Sequence, residues 1–235
     1  MLRKTNLVEG ETYHVFNRGA NKNRIFTNKD DYRRFLMLLH LCNSSKPVLM
    51  REILTKYRGR SSADIFYEER PDKSLVSIIA YCLMPNHFHL ILRQKSKDGI
   101  TKFMNRVGTA YSMYFNVKYE HSGVLFQGRY KSSHIGTESY FRYIFAYIHL
   151  NPVELVDPTW KESGIADPAR VKSFINTYDF SSFKDYKKSE RPERVILALK
   201  EKPDFLATQN DLEELLRSFA EDRPLQGLEA GVKMS

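Results

Sequence analysis

Residues 75–92 read LVSIIAYCLMPNHFHLIL, and this stretch carries the strongest strand signal in the chain. Its first run, Leu75–Leu83, is nearly all apolar, and a second apolar run covers Phe88–Leu92. Between them lies Met84-Pro-Asn-His87, whose proline and asparagine are typical of a turn. The sequence therefore predicts two adjacent antiparallel strands here.

Patterns on both sides of these strands predict an α+β fold, an antiparallel sheet with helices packed on one face. A capping-box pair, Thr27 and Asp30, begins one helix, and a single apolar stripe marks a longer one over Asp98–Tyr119. The other predicted elements are a strand at 13–17, a strand at 124–135 interrupted by Gly128-Arg129, and a helix from Thr137 to Asn151.

Two segments depart from this pattern. In residues 44–74 the apolar residues recur at no regular spacing. We predict that this segment is a partly helical insertion with an exposed basic loop at 57–62. Residues 187–235 predict a small helical C-terminal extension, with short amphipathic helices at Val195–Lys200 and Asp211–Phe219. We therefore predict one catalytic domain, residues 1–186, followed by an extension of unknown role.

The composition favours an intracellular protein with a real core. The chain has 235 residues, of which 42% are hydrophobic and 28% are charged, which excludes a disordered, collagen-like or disulfide-scaffold protein. The longest apolar run is about half the roughly 20 residues that a membrane span needs, and residues 1–11 do not resemble a signal peptide. Cys42 and Cys82 have no metal or redox spacing and are expected to be buried thiols in a reducing compartment.

Positive charge is concentrated in the first part of the chain. Residues 1–150 contain 24 Lys and Arg against 12 Asp and Glu, a net +12, whereas residues 151–235 contain 13 against 16, a net −3. A basic region of that size attracts polyanions, and nucleic acid is the commonest intracellular one. We therefore expect a nucleic-acid partner and no membrane partner, although charge alone also allows an ordinary solvated surface.

His87 and His89 are a candidate pair of metal ligands. They are two apart in a predicted strand, so both side chains lie on one face and can converge on one ion. If Phe88 faces the core, the histidines lie on the opposite face, where we expect a cleft rather than a hydrophobic layer. A His-x-His pattern by itself more often marks surface or packed histidines.

The helix predicted to end at Asn151 carries a second candidate pair. Tyr147 and Asn151 are one helical turn apart, so a phenol and an amide carbonyl can reach the same cleft. A tyrosine at the boundary of a helix normally packs its ring and leaves its hydroxyl in water. The spacing alone therefore leaves a structural role open.

Five short motifs occur in a recognisable order over about residues 8–186. They are YHVFNRG at 13–19, AYCLMPNHFHL at 80–90, GRYKS at 128–132, YIHLNPV at 147–153 and SSFKDY at 181–186. In these the chain resembles the REP-associated tyrosine transposases, relatives of the single-tyrosine insertion-sequence transposases in the His-hydrophobe-His nuclease group. The insertion at 44–74 and the residues after Asp185 depart from that family's pattern.

The resemblance implies a ferredoxin-like or RRM-like transposase core and a metal-dependent transposase acting on single-stranded DNA beside hairpins. His87, His89 and Asn151 are similar to the family's ligands of a divalent ion, Mg²⁺ or Mn²⁺. Tyr147 is similar to the nucleophile that forms a 5′-phosphotyrosine intermediate. Candidate contacts to the DNA backbone are Arg18, Lys22, Arg24, Arg129 and Lys131.

The residue chemistry agrees with that expectation and leaves two alternatives. A divalent ion neutralises charge at a phosphodiester. Mg²⁺ prefers oxygen ligands, whereas mixed imidazole and amide ligation also suits Mn²⁺, so we expect either ion to work and Mn²⁺ to bind better. A tyrosine nucleophile conserves the bond energy for strand transfer, whereas water would make a hydrolase. The alternatives are a catalytically idle hairpin-binding protein and a hydrolytic nuclease or zinc enzyme. A cytoplasmic, nucleoid-associated monomer or homodimer is expected.

Overall fold

The computed structural model describes residues 6–187, 190–206 and 213–218, and a four-stranded antiparallel sheet forms its centre. The strands are β1 (Thr12–Arg18), β2 (Val76–Met84), β3 (His87–Gln94) and β4 (Lys131–His134), in the order β2-β3-β1-β4. β2 and β3 pair as predicted, joined through Pro85 and Asn86. The predicted α+β class with an antiparallel sheet is therefore confirmed.

One face of the sheet is covered by the helices of the first half of the chain. These are α1 (Lys29–Leu41), α2 (Met50–Lys56), α3 (Ser62–Glu68) and α4 (Gly99–Tyr119). Phe88 of β3 is buried against Phe35 of α1, with the two ring centres 5.0 Å apart, and Phe103 of α4 belongs to the same core. α2 and α3 lie within the segment 44–74, which is partly helical as predicted.

The start of α1 lies one residue later than the capping-box pattern predicted. Thr27 and Asp30 were expected to form the box, but the side chain of Asn28 accepts from the amides of Asp30 and Asp31. The carboxylate of Asp31 accepts in return from the amide of Asn28. Asp31 also binds Lys118 at 2.7 Å, and this buried contact with α4 decides which residue occupies the third helical position.

The opposite face of the sheet is covered as well, so the expected open cleft is wrong. The helices on the second half of the chain are α5 (Glu138–Leu150), α6 (Trp160–Ser163), α7 (Pro168–Thr177) and α8 (Phe183–Tyr186). Ile144 and Ile148 of α5 pack with Cys82 and Ile91 of the sheet in a second hydrophobic cluster. Since the histidines of β3 share this face, they are buried beneath α5 rather than exposed.

The interrupted strand predicted at 124–135 is mostly a loop. Only β4 and an isolated bridge between Gly19 and Phe126 pair with the first part of the chain. Gly128 has φ 153°, a backbone conformation that glycine adopts more readily than other residues. The Asn17 amide group donates to the carbonyl of Gly128 at 3.0 Å, which holds the loop beside the end of β1.

The segment after α7 covers the free edge of β2. The backbone amide of Leu83 donates to Phe180, and that of Ala198 donates to Ile78, each at 2.9 Å. A helix was predicted at Val195–Lys200, but the chain there forms two 3₁₀ turns, Pro192–Ile196 and Leu199–Glu201. Because the amide of Ala198 donates to the edge strand, it is not free to donate to the carbonyl of Arg194 as an α-helix would require.

The remainder of the predicted extension is described only in part. A third 3₁₀ turn spans Asp204–Leu206, and residues 213–218 are helical. These helical residues fall inside the helix predicted at 211–219, whose other residues lie outside the described ranges. Cys42 and Cys82 are buried free thiols, as expected. Within the described part of the chain, no helix is long and apolar enough to cross a membrane.

Candidate active site

The start of β3 and the end of α5 bring the four predicted site residues into one cluster. Nε2 of His87 lies 3.1 Å from Oδ1 of Asn151, and both side chains are buried. The ring centres of His87 and His89 are 5.1 Å apart, and the ring of Tyr147 stands edge-on to His89 with centres 5.5 Å apart. His87 and His89 are 3% and 0% exposed, and Tyr147 is 9% exposed.

The outer nitrogen of each imidazole has a partner that orients the ring. Nδ1 of His87 lies 2.6 Å from Oδ1 of Asn86, and Nδ1 of His89 lies 2.8 Å from Nε2 of His14. An amide oxygen only accepts, so the Nδ1 of His87 donates and its Nε2 keeps a lone pair. Both rings therefore turn their Nε2 atoms toward the interior of the cluster, the arrangement in which histidine binds a metal.

The donor atoms of this cluster fit a divalent ion. The lone pair of the His87 Nε2 faces the amide oxygen of Asn151, and these two acceptors repel each other unless a cation lies between them. Reversing the amide would pair its nitrogen with the ring but leave its oxygen buried without a donor. Two neighbouring ligands of an octahedral ion with bonds near 2.1 Å are about 3 Å apart, close to the observed separation.

One further atom points to the same conclusion. Nε2 of His89 is buried and has no hydrogen-bond partner among the residues that the structure describes. Buried polar atoms are nearly always paired, so an unpaired imidazole nitrogen calls for an explanation. The described residues contain no group of three His, Cys, Asp or Glu side chains able to hold a metal. A metal bound at this cluster would therefore need the amide of Asn151 as its third protein donor.

Burial keeps the histidines of the cluster neutral. It lowers the pKa of His87 to about 4, although the contact with Asn151 opposes the shift. It lowers the pKa of His14 to about 3, and burial together with the neighbouring His14 and His87 holds the pKa of His89 well below its usual range. Neutral imidazole is the form that binds a metal, so no proton has to be displaced from these rings at neutral pH.

Three residues near the cluster were not identified as site residues from the sequence. Glu154 and Lys161 form an ion pair at 2.7 Å beside Tyr147, and His14 contacts His89. His14 alternates with Phe16 and Arg18 along β1, a signal that has meaning only once β1 is known to pair with β3. Lys161 follows Tyr147 at no helical spacing, and no local pattern could have identified it.

The five candidate DNA contacts lie in two places. Arg18, Arg129 and Lys131 line one groove at the end of β1, and the latter two are exposed. Lys22 and Arg24 lie on an exposed loop that packs against the turn between β2 and β3, where the Asn86 side chain donates to the carbonyl of Lys22 at 3.2 Å. The structure thus places both groups of cations near the end of the sheet that carries His87.

Comparison with known proteins gives a family match and structural matches at low sequence identity. Residues 8–151 match the family described as IS200-like transposase. A REP-associated tyrosine transposase, solved bound to a REP hairpin, is 13% identical, with a TM-score of 0.47 over 80% of this chain and 86% of that chain. The tRNA(His) guanylyltransferase of Saccharomyces cerevisiae is 10% identical, with a TM-score of 0.29 over 87% of this chain and 86% of that one. No curated protein matches the sequence.

Proposed function

The chain belongs to the IS200-like transposase family, and from that premise we propose that it is a metal-dependent transposase that cleaves single-stranded DNA beside hairpins. The observation that carries this proposal is the single buried cluster of Tyr147, His87, His89 and Asn151. A phenol next to two unprotonated imidazoles and an amide oxygen is the chemistry that covalent phosphodiester cleavage requires.

In this proposal the divalent ion is held by His87, His89 and Asn151. Two imidazole nitrogens and one amide oxygen suit Mn²⁺ better than Mg²⁺, which prefers oxygen ligands. When bound, the ion neutralises charge on the phosphate and on the departing oxygen. His14 and Asn86 orient the ligand rings, and the apolar cluster under α5 excludes water from them.

Tyr147 is the proposed nucleophile. Its phenol oxygen loses a proton to solvent and forms a bond to the phosphorus, and the bond from phosphorus to the 3′-oxygen breaks. The 3′-oxygen takes up a proton and becomes a free hydroxyl, while the 5′-phosphate stays attached to the tyrosine. Because one phosphate ester replaces another, the bond energy is conserved and strand joining needs no ATP.

The proposed substrate is a single strand with an adjacent hairpin. The cluster lies beneath α5 and not on an open sheet face, which favours a flexible single strand over a rigid paired duplex. The groove of Arg18, Arg129 and Lys131 offers cations to the backbone of an extended strand. Arg18 is the partner of His87 in the register of β1 and β3, which supports a strand path that leads from the groove to the proposed ligands.

Covalent trapping tests the proposal directly. A pool of hairpin-bearing single strands with randomised flanks, labelled at the 3′ end, is incubated with the protein and Mn²⁺ and run on a denaturing protein gel. We expect a labelled band at the position of the protein, since the 3′ fragment carries the 5′-phosphate. Tyr147→Phe should abolish this band, whereas Tyr143→Phe, whose ring stacks on Tyr147 with centres 6.4 Å apart, should keep it.

Other outcomes of this experiment favour the two alternatives. Cleavage that survives in Tyr147→Phe would identify a nuclease that uses water, and DNA binding without cleavage would identify a binding protein. For His87→Ala we expect loss of cleavage with DNA affinity kept within a few-fold, because the ion contributes mainly to the transition state. Equal loss of binding and cleavage in His87→Ala would contradict the proposed metal site.

A further inference from the structure

The chain returns to the proposed nucleophile after leaving α5. Beyond Leu150 it continues as a 3₁₀ helix, Asn151–Leu155, then turns through residues 156–159 into α6. The turn is held by the amide of Asp157, which donates to Val153 at 2.8 Å, and by the Asp157 carboxylate, which accepts from the amide of Ala166 at 3.1 Å. Trp160 is buried in the hydrophobic cluster of α5. These contacts fix the position of the next residue, Lys161.

Lys161 presents its ammonium group to Tyr147. Its Nζ lies 5.3 Å from the centre of the Tyr147 ring, so the positive charge of the ammonium lies beside the phenol. The same Nζ contacts Oε2 of Glu154 at 2.7 Å. The side chain of Lys161 is 35% exposed, so the ion pair lies at the boundary between the buried cluster and solvent, where a DNA strand would approach the phenol.

We propose that Lys161 is a catalytic residue for the attack by Tyr147. This inference rests on the proposed function. The positive charge of the ammonium stabilises the negative charge that develops on the phenol oxygen as its proton leaves to solvent and the bond to phosphorus forms. A fixed cation at this boundary is complementary to that developing charge, and it needs no rearrangement at the moment of attack. Lys161 stays protonated throughout.

Glu154 is a positioning residue for Lys161. It lies on the 3₁₀ helix that continues α5, three residues after Asn151, so it moves with the helix that carries the nucleophile. Its carboxylate contacts the Lys161 ammonium and limits the positions available to that long side chain. After cleavage the new phosphate ester is attached to the phenol oxygen, and the same ammonium then faces the phosphate of the covalent intermediate.

A set of substitutions separates this catalytic role from a purely structural role and from a simple contact to DNA. Single-turnover rates of adduct formation are measured at saturating DNA with Mn²⁺, and DNA affinity is measured separately. We expect Lys161→Met to slow adduct formation by about 10- to 100-fold, which is no more than the rate loss caused by removing one donor from an oxyanion hole. DNA affinity should change by a smaller factor than the rate. Lys161→Arg should recover most of the rate because it keeps the charge. Lys172→Met, which removes an exposed pair with Glu213 at 3.1 Å, is the matched control.

The outcomes distinguish this inference from the proposed function. An unchanged rate in Lys161→Met, with the adduct still lost in Tyr147→Phe, would overturn the role of Lys161 and leave the transposase proposal intact. The role of Lys161 would also be overturned if Lys161→Arg and Lys161→Met slowed adduct formation equally while both proteins unfolded at the wild-type temperature. A role that depends on positive charge requires Lys161→Arg to restore the rate. A loss in affinity that accounts for the whole effect would reduce Lys161 to a DNA contact. Absence of any adduct from the wild-type protein would overturn both proposals.

Discussion

Nε2 of His14 and Nδ1 of His89 lie 2.8 Å apart, and both imidazoles are fully buried. One of these two nitrogens carries the shared hydrogen. If the hydrogen belongs to His89, then its Nε2 holds a lone pair inside the cluster, which is the form that binds a metal. The pairing of β1 with β3 brings His14 to this position. In that tautomer His14 orients a proposed metal ligand from outside the ligand set.

The first prediction follows from that contact. His14→Phe keeps an aromatic ring in the same space but removes the nitrogen that pairs with Nδ1 of His89. We expect Mn²⁺ affinity to fall by about 10- to 100-fold, the usual effect of losing the partner of a ligating histidine. Isothermal titration calorimetry measures this, with His121→Ala, an exposed histidine, as control. An unchanged affinity in a folded His14→Phe protein would count against the site.

The second prediction concerns stability at acidic pH in the metal-free protein. Burial lowers the pKa of His14 to about 3 and those of His87 and His149 to about 4. Unfolded histidine has a pKa near 6.5, so between pH 6.5 and 4 the unfolded chain binds protons that the folded protein does not. The free energy of unfolding therefore falls as pH drops through this range. Above about pH 6.5 these histidines are neutral in both states and make no pH-dependent contribution to it.

Urea titrations in EDTA between pH 8 and 4.5 measure this dependence. Each buried histidine contributes up to about 1.4 kcal/mol per pH unit below its unfolded pKa, so the combined loss from pH 7 to pH 5 should amount to several kcal/mol. His121→Ala should follow the wild-type curve. The same free energy of unfolding at pH 7 and pH 5 would show that these histidines are protonated in the folded protein.

The third prediction tests the buried ion pair between Asp185 and Arg191, which holds the segment after α8 against β2. The Asp185 carboxylate is fully buried and accepts from Nε and Nη2 of Arg191 at 2.7 and 2.6 Å. Arg191→Met leaves this charge buried and unpaired, which should lower the free energy of unfolding by about 3–5 kcal/mol. Adding Asp185→Asn should restore part of the loss. Arg33→Gln, which removes an exposed pair with Asp30, should change stability by less than about 1 kcal/mol in the same urea titration.

The fourth prediction tests the groove at the end of β1. Arg129→Ala and Lys131→Ala should each weaken single-strand binding by a few-fold, and to the same extent for different sequences, because backbone contacts carry no sequence information. The slope of log affinity against log salt concentration should become shallower by about 0.7 for each lost contact. Fluorescence anisotropy across a NaCl series measures both. Lys102→Ala, an exposed lysine on α4, should leave the slope unchanged.

Local patterns predicted the hairpin and the helix that carries Tyr147 nearly to the residue. β2 and β3 flank Pro85 and Asn86, and α5 ends one residue before Asn151. These elements follow from continuous apolar runs, turn residues and capping, which act over a few neighbouring positions. Patterns failed where distant contacts intervene, as at the start of α1, where Asp31 is held by Lys118, and at the loop around Gly128.

The sequence by itself determined that His87 and His89 share one face of a strand and that Tyr147 and Asn151 share one side of a helix, because both periodicities are set by the local backbone. Only the tertiary structure decided that the helix covers the histidine face, that His14 reaches His89 from a neighbouring strand, and that Lys161 returns to the phenol. Those contacts join residues far apart along the chain. They depend on how the sheet is ordered and how the two hydrophobic clusters pack, which no short stretch of sequence encodes.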